Sequence, residues 1–262
     1  GGHDEGRRRH PPASEGGPVT GAVVDTLAAQ EFMREALAQI TLDELGRIAD
    51  ELETKHARFR ALLDPALGRP PARHDLQAIL RSVFATRRHA GEIVEQIGAD
   101  RLAGRIHELL AGPAPIQARF QTFVDGLDPI PRHLRFDLAS ECLHYADPAR
   151  YWLWTRWVWD PATRTGALPL VTMEEFDLDG GSAGATYLRV GQATAFVHET
   201  GQAAGFTRIG RGGFGADVYL ACVYGVYVFT TMRIRMTQEF NRVIPPLPEL
   251  CRRLLGVHRM EV

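Results

Sequence analysis

The stretch from Ile209 to Pro246 constrains the fold of this chain more than any other. It opens on Gly210-Arg-Gly-Gly-Phe-Gly215 and continues as the most apolar segment, Asp217-Val-Tyr-Leu-Ala-Cys-Val-Tyr-Gly-Val-Tyr-Val-Phe-Thr230. It closes on Pro245-Pro246. Val218, Cys222, Gly225, Phe229, Met232, Met236, Phe240 and Val243 recur at steps of three and four, which places them in one stripe on a helix. Asp217 is an expected N-cap, and the two prolines are a stop. The pattern predicts a helix of about 27 residues whose first half is buried on most sides. A membrane span needs about 20 apolar residues. Between Asp217 and Arg233 only 15 residues are free of charge, so the expected helix belongs to a protein core.

That helix must be covered, and the 262 residues suffice for one large domain or two modest ones. A hydrophobic content of 45% and a charged content of 24% are those of an ordinary globular chain. Arginine supplies every basic side chain except Lys55, which together with the abundant Ala and Gly reads as coding bias. A net charge of −2 argues against nucleic acid as the main partner. Cys142, Cys222 and Cys251 are odd in number, far apart and in apolar contexts; they read as reduced thiols of a cytoplasmic protein.

Residues 1–20, rich in Gly, Pro and charge, are expected to be a disordered tail, and no apolar run follows their arginines to form an export signal. Residues 21–128 read as a helical bundle. A helix over 24–40 comes first, and a second starts at the capping box Thr41-Leu-Asp-Glu44. A third is expected to run from a cap at Asp75 as far as Ile97, and short helices follow over 102–110 and 116–127. Asp128-Pro-Ile-Pro131 marks a seam. Residues 129–262 then read as an α+β portion: a helix over 132–145, a β-hairpin from Tyr151–Asp160 to Ala167–Val171, a Gly/Ala-rich helix over 185–204, the long helix and a short one over 247–255. The expected fold class is mainly α with a small β component.

Three constellations suggest chemistry. His133, Asp137, Glu141 and His144 share one side of the helix over 132–145. Glu141-x-x-His144 has the spacing used in carboxylate-bridged di-metal bundles, and Glu53-x-x-His56 repeats it, with Glu92 and Glu108 as further carboxylates. The same residues serve equally as hydrogen-bonded structural groups. Arg208, Gly210, Arg211, Gly212 and Gly215 would form an anion site at a helix start. The glycine pattern matches a dinucleotide fingerprint but lacks the second strand and the acid that a nucleotide fold requires. Trp152, Trp154, Trp157 and Trp159 would, on a strand, present two faces, one for the core and one for a ligand or partner.

Other chemistry has little support. Ser140 and Ser182 lack a nucleophile elbow, and Cys142 lies beside Glu141 rather than a cation. Asp177-Leu-Asp179-Gly180 begins like a calcium loop, but Leu188 stands where the closing Glu is needed. The expectation is therefore a non-catalytic accessory or ligand-binding subunit of a cytoplasmic complex, with a protein partner or a second copy and no membrane. The alternatives are a metal-dependent, di-iron-type oxidoreductase and an anion or nucleotide binder. No cofactor is favoured.

Overall fold

A computed structural model describes residues 23–210, 213–236 and 244–258. The expected tail over 1–20, Arg211, Gly212, and the far end of the long stripe at Phe240 and Val243 lie outside the described residues. Twelve α-helices are present among those described: α1 Thr26–Leu37, α2 Leu42–Leu63, α3 Arg73–Arg81, α4 Ala90–Ile97, α5 Ala99–Ala111, α6 Ile116–Asp125, α7 Arg132–Ala146, α8 Leu168–Val171, α9 Ala183–Glu199, α10 Gly201–Ala204, α11 Gly215–Met236 and α12 Leu247–Leu255.

The α+β expectation is wrong: the fold is mostly helical, with 66% helix and no sheet among the described residues. Its β structure amounts to two isolated bridges, Val24 with Thr172 and Asp160 with Thr165. The Trp-rich hairpin is an irregular loop. Its two arms do meet, through Ala167 N–H to Trp157 O and Leu168 N–H to Val158 O, but the return arm winds into α8. Along the first arm the backbone groups bond instead to side chains of neighbouring helices, as described below.

Local chemistry explains several helix ends. Asp25 caps α1 through Ala28 N–H, and Thr41 caps α2 through Glu44 N–H at 3.2 Å. The Glu44 carboxylate does not complete the capping box; it turns to Arg47 and Arg252. Asp75 lies inside α3 rather than at its cap, and its carboxylate accepts from Ala72 N–H. The single helix expected from Asp75 to Ile97 is two, α3 and α4, joined by a tight turn. Ser82 Oγ–H bonds back to Ala78 O and Thr86 Oγ–H to Leu80 O, so these hydroxyls compete with the helical ladder where it breaks.

α7 and α11 occupy the centre. Every residue of α7 from Phe136 to Tyr145 is buried, and α11 is buried from Ala216 through Val223. α2 packs on α7, α1 and α12 on α11, and α6 on both α7 and α9. Tyr219 Oη–H of α11 donates to Ala29 O of α1, and Arg252 of α12 forks onto Glu44 and Glu51 of α2 at 2.6 and 2.9 Å. Gly225 allows the close approach of α12, since a Cβ there would overlap Leu247 Cδ1. One helix among the described residues, over Gly215–Met232, is long and apolar enough to cross a membrane, at a mean hydropathy of 1.2; 56% of that window is buried inside the protein.

Candidate functional site

The polar strip of α7 is the chemical centre of the molecule. Pro131 precedes the helix and Pro148 follows its cap residue, Asp147, which bounds the element at both ends. Between them Asp137, Ser140, Glu141 and His144 fall on one side and are all buried. Buried polar groups need partners, and here each partner is a different piece of the fold.

Three of the four hold the extended arm after α7. Asp137 Oδ1 accepts from Arg156 N–H at 3.1 Å, Ser140 Oγ accepts from Trp154 N–H, and His144 Nδ1–H donates to Tyr151 O at 2.9 Å. Tyr187 Oη–H of α9 donates to Trp152 O at 3.1 Å. Helix side chains thus stand where a neighbouring strand would have stood. That substitution is the physical reason no hairpin ladder forms.

The remaining groups join helices. Lys55 Nζ of α2 lies 2.7 Å from Glu141 Oε2 and 2.7 Å from Leu255 O, the last carbonyl of α12, and 4.1 Å from the centre of the Tyr145 ring. The ammonium therefore pairs a carboxylate, caps a helix end and sits on an aromatic face. His144 Nε2 meets Asp217 Oδ2 of α11 at 2.9 Å. Asp217 was expected as the N-cap of the long helix; α11 instead starts at Gly215, and the carboxylate serves His144 from inside the first turn. Burial pulls the Lys55 pKa below its ordinary value against the pull of Glu141, and raises that of Glu141 against the pull of Lys55. Burial would also lower His144, but the charge and hydrogen bond of Asp217 outweigh it and hold the imidazole above its usual value. Asp137 is pushed well above the carboxylate range by burial, with Arg156 opposing. Burial, then Glu141, drives the Cys142 thiol up, so it is a poor nucleophile.

The structure does not gather the residues expected to bind metal. Glu141 and His144 are engaged as above, and Glu53 is exposed on α2. His133 is half-buried and lines a separate cavity of about 360 Å³ with Phe136, Trp154, Asp160 and Asp179; burial, then Arg156, lowers its pKa. His56 Nδ1–H donates to Tyr145 O at 2.7 Å. Glu92 and Glu108 are exposed and lie near His89 and Arg105. Among the described residues no group of three or more His, Cys, Asp or Glu is placed to hold a metal ion.

Arg208 is exposed in a 3-10 turn over Phe206–Ile209; Gly210 follows in extended backbone, and Arg211 and Gly212 lie outside the described residues. The tryptophans are not an outer face. Trp154, Trp157 and Trp159 are 1%, 5% and 2% exposed. Trp154 stacks on Phe136 at 4.3 Å and on Phe120, while its Nε1–H donates to Trp159 O. Trp157 Nε1–H caps α12 at Leu254 O, and the partly buried Trp152 stacks on Tyr187 where Gly191 leaves room for its indole. Large aromatics on an irregular loop fill the core as well as those on a strand.

Sequence reasoning missed Lys55, although a signal existed: it is the one lysine among 30 basic side chains. It also missed a cavity of about 560 Å³ where the ends of α2 and α7 meet. His56, Arg60, Asp64, Asp147, Arg150 and Tyr151 line this cavity. A second, apolar cavity of about 400 Å³, lined by Leu62, Leu63, Pro70, Ile106 and Leu110 among others, shares Asp64, Pro65 and Leu110 with it. Compared with protein-family models, curated proteins and solved structures, the chain matches none.

Proposed function

We propose that this protein is a non-catalytic ligand-binding or accessory subunit acting in the cytoplasm. One observation carries the reading: the acids and bases of the α7 strip are spent on one another and on backbone groups. Lys55, Glu141, His144 and Asp217 bind together α2, α7, α11 and α12 at 2.7–2.9 Å, deep in the interior. A catalytic acid or base must reach a reacting atom within hydrogen-bond distance; these groups reach each other. Among the described residues, two adjoining cavities are open to a ligand, one polar at His56, Arg60 and Arg150 and one apolar at Leu62, Leu63 and Ile106. A mostly apolar concavity with a few convergent polar groups is the usual form of a ligand site.

The test compares wild type with His144→Ala, melting each with and without a strong chelator and counting bound metal by mass spectrometry. Under this reading the variant loses stability by about 1–3 kcal/mol, the chelator changes neither melt, and no metal is stoichiometric. One or two equivalents of iron, manganese or zinc in the wild type, lost in the variant, would overturn it in favour of a metal-dependent oxidoreductase.

A further inference from the structure

The turn between α3 and α4 carries two arginines, Arg87 and Arg88, that no carboxylate pairs among the described residues. Val83 is 1% exposed and Thr86 Oγ–H is tied to Leu80 O at 2.7 Å, so the turn is pinned to the core and presents Phe84, Arg87 and Arg88 outward. The guanidinium of Arg87 lies over the Phe84 ring at 4.6 Å. The end of α12 packs against the same turn: a Cβ on Gly256 would overlap Ser82 O. This contact brings Arg253 alongside. Burial first, then the like charges of Arg88 and Arg253, lower the pKa of Arg87. Among the described residues, neither Arg87 nor Arg88 has a carboxylate partner. Arg253 pairs with Glu249, which also has His258 at 3.9 Å.

Uncompensated like charges destabilise the free protein, and the chain pairs arginine with acid elsewhere, as in the Arg252 fork. Among the described residues, Arg87, Arg88 and Arg253 meet only Glu249 and the Glu92 that pairs His89, so cations outnumber acids at this turn. A phosphate monoester or a diphosphate carries about two negative charges and accepts planar, forked donation from guanidinium groups. We infer that Arg87, Arg88 and Arg253, with Phe84 holding Arg87 in place, form a binding site for a phosphate monoester or diphosphate group. The inference stands independently of the cavities by α2 and α7.

The test is calorimetric titration of the full chain with sodium diphosphate, using sodium sulfate at equal ionic strength as the control, in wild type and in Arg87→Ala/Arg88→Ala. Saturable diphosphate binding that weakens at least tenfold in the double variant is expected. A 5′-phosphorylated oligonucleotide and its unphosphorylated form distinguish the source. Binding of diphosphate assigns a small phosphorylated ligand; binding confined to the phosphorylated oligonucleotide assigns a nucleic-acid end. Without anion, Arg88→Ala should melt at or above the wild-type temperature, because it removes a repelling charge; a structural role would lower it. Failure of both probes to bind, undiminished binding by the double variant, or a lower melting temperature for Arg88→Ala overturns the inference.

Discussion

Replacing Lys55 by Met removes the cation through which α2 joins α7 and α12. Glu141 would be left at 0% exposure without its cation, forced either to hold an unpaired charge or to take up a proton, and Leu255 O would lose its donor at the end of α12. Removing one partner of a buried pair costs about 3–5 kcal/mol. A protein of this size is stable by roughly 5–15 kcal/mol. At roughly 2–4 °C per kcal/mol, the melting temperature should fall by about 6–20 °C. The double variant Lys55→Met/Glu141→Leu should recover most of that loss, because both desolvation penalties vanish together. Glu141 Oε1 favours the recovery: it is buried without a hydrogen-bond partner among the described residues. Lys55→Arg keeps the charge and should still destabilise. The ammonium makes two 2.7 Å contacts, to Glu141 Oε2 and Leu255 O, at 0% exposure, which a longer planar group does not reproduce. Urea unfolding of wild type, Lys55→Met, Glu141→Leu and the double variant completes the double-mutant cycle. A loss below about 1 kcal/mol in Lys55→Met, or a double variant as unstable as the single one, would refute the reasoning.

His144 supplies a pH test: its folded pKa is raised, so its stabilising effect is full below the unfolded value of 6.5 and declines as pH rises through the folded value. Wild-type stability should therefore fall as pH rises above 6.5, and His144→Gln should lack that step in melts taken across the range. Burial, against the charge of Arg156, makes Asp137 prone to neutrality, so Asp137→Asn, which keeps an oxygen for Arg156 N–H, should be neutral or up to about 1 kcal/mol stabilising at pH 7; a loss above about 2 kcal/mol in urea would show that its charge matters. Gly225→Leu should destabilise by about 1–3 kcal/mol through collision with Leu247, and an unchanged melting temperature would contradict the close α11–α12 contact.

Periodicity placed α7 and the core half of α11, because a helix that buries a face must repeat apolar residues every three or four positions, and prolines bound α7. It also put Asp137, Glu141 and His144 on one side of α7, since that is a property of the local backbone. Their partners were not legible. Lys55 is 86 residues from Glu141, and Asp217 is 73 from His144. Pairing over such distances depends on which helices pack together, which no local pattern records. The hairpin failed for the same reason. Alternating tryptophans describe an extended chain equally well whether a strand or a row of helix side chains satisfies its amides. Asp137, Ser140 and His144 were already in place to do so, and only the tertiary structure could decide between them.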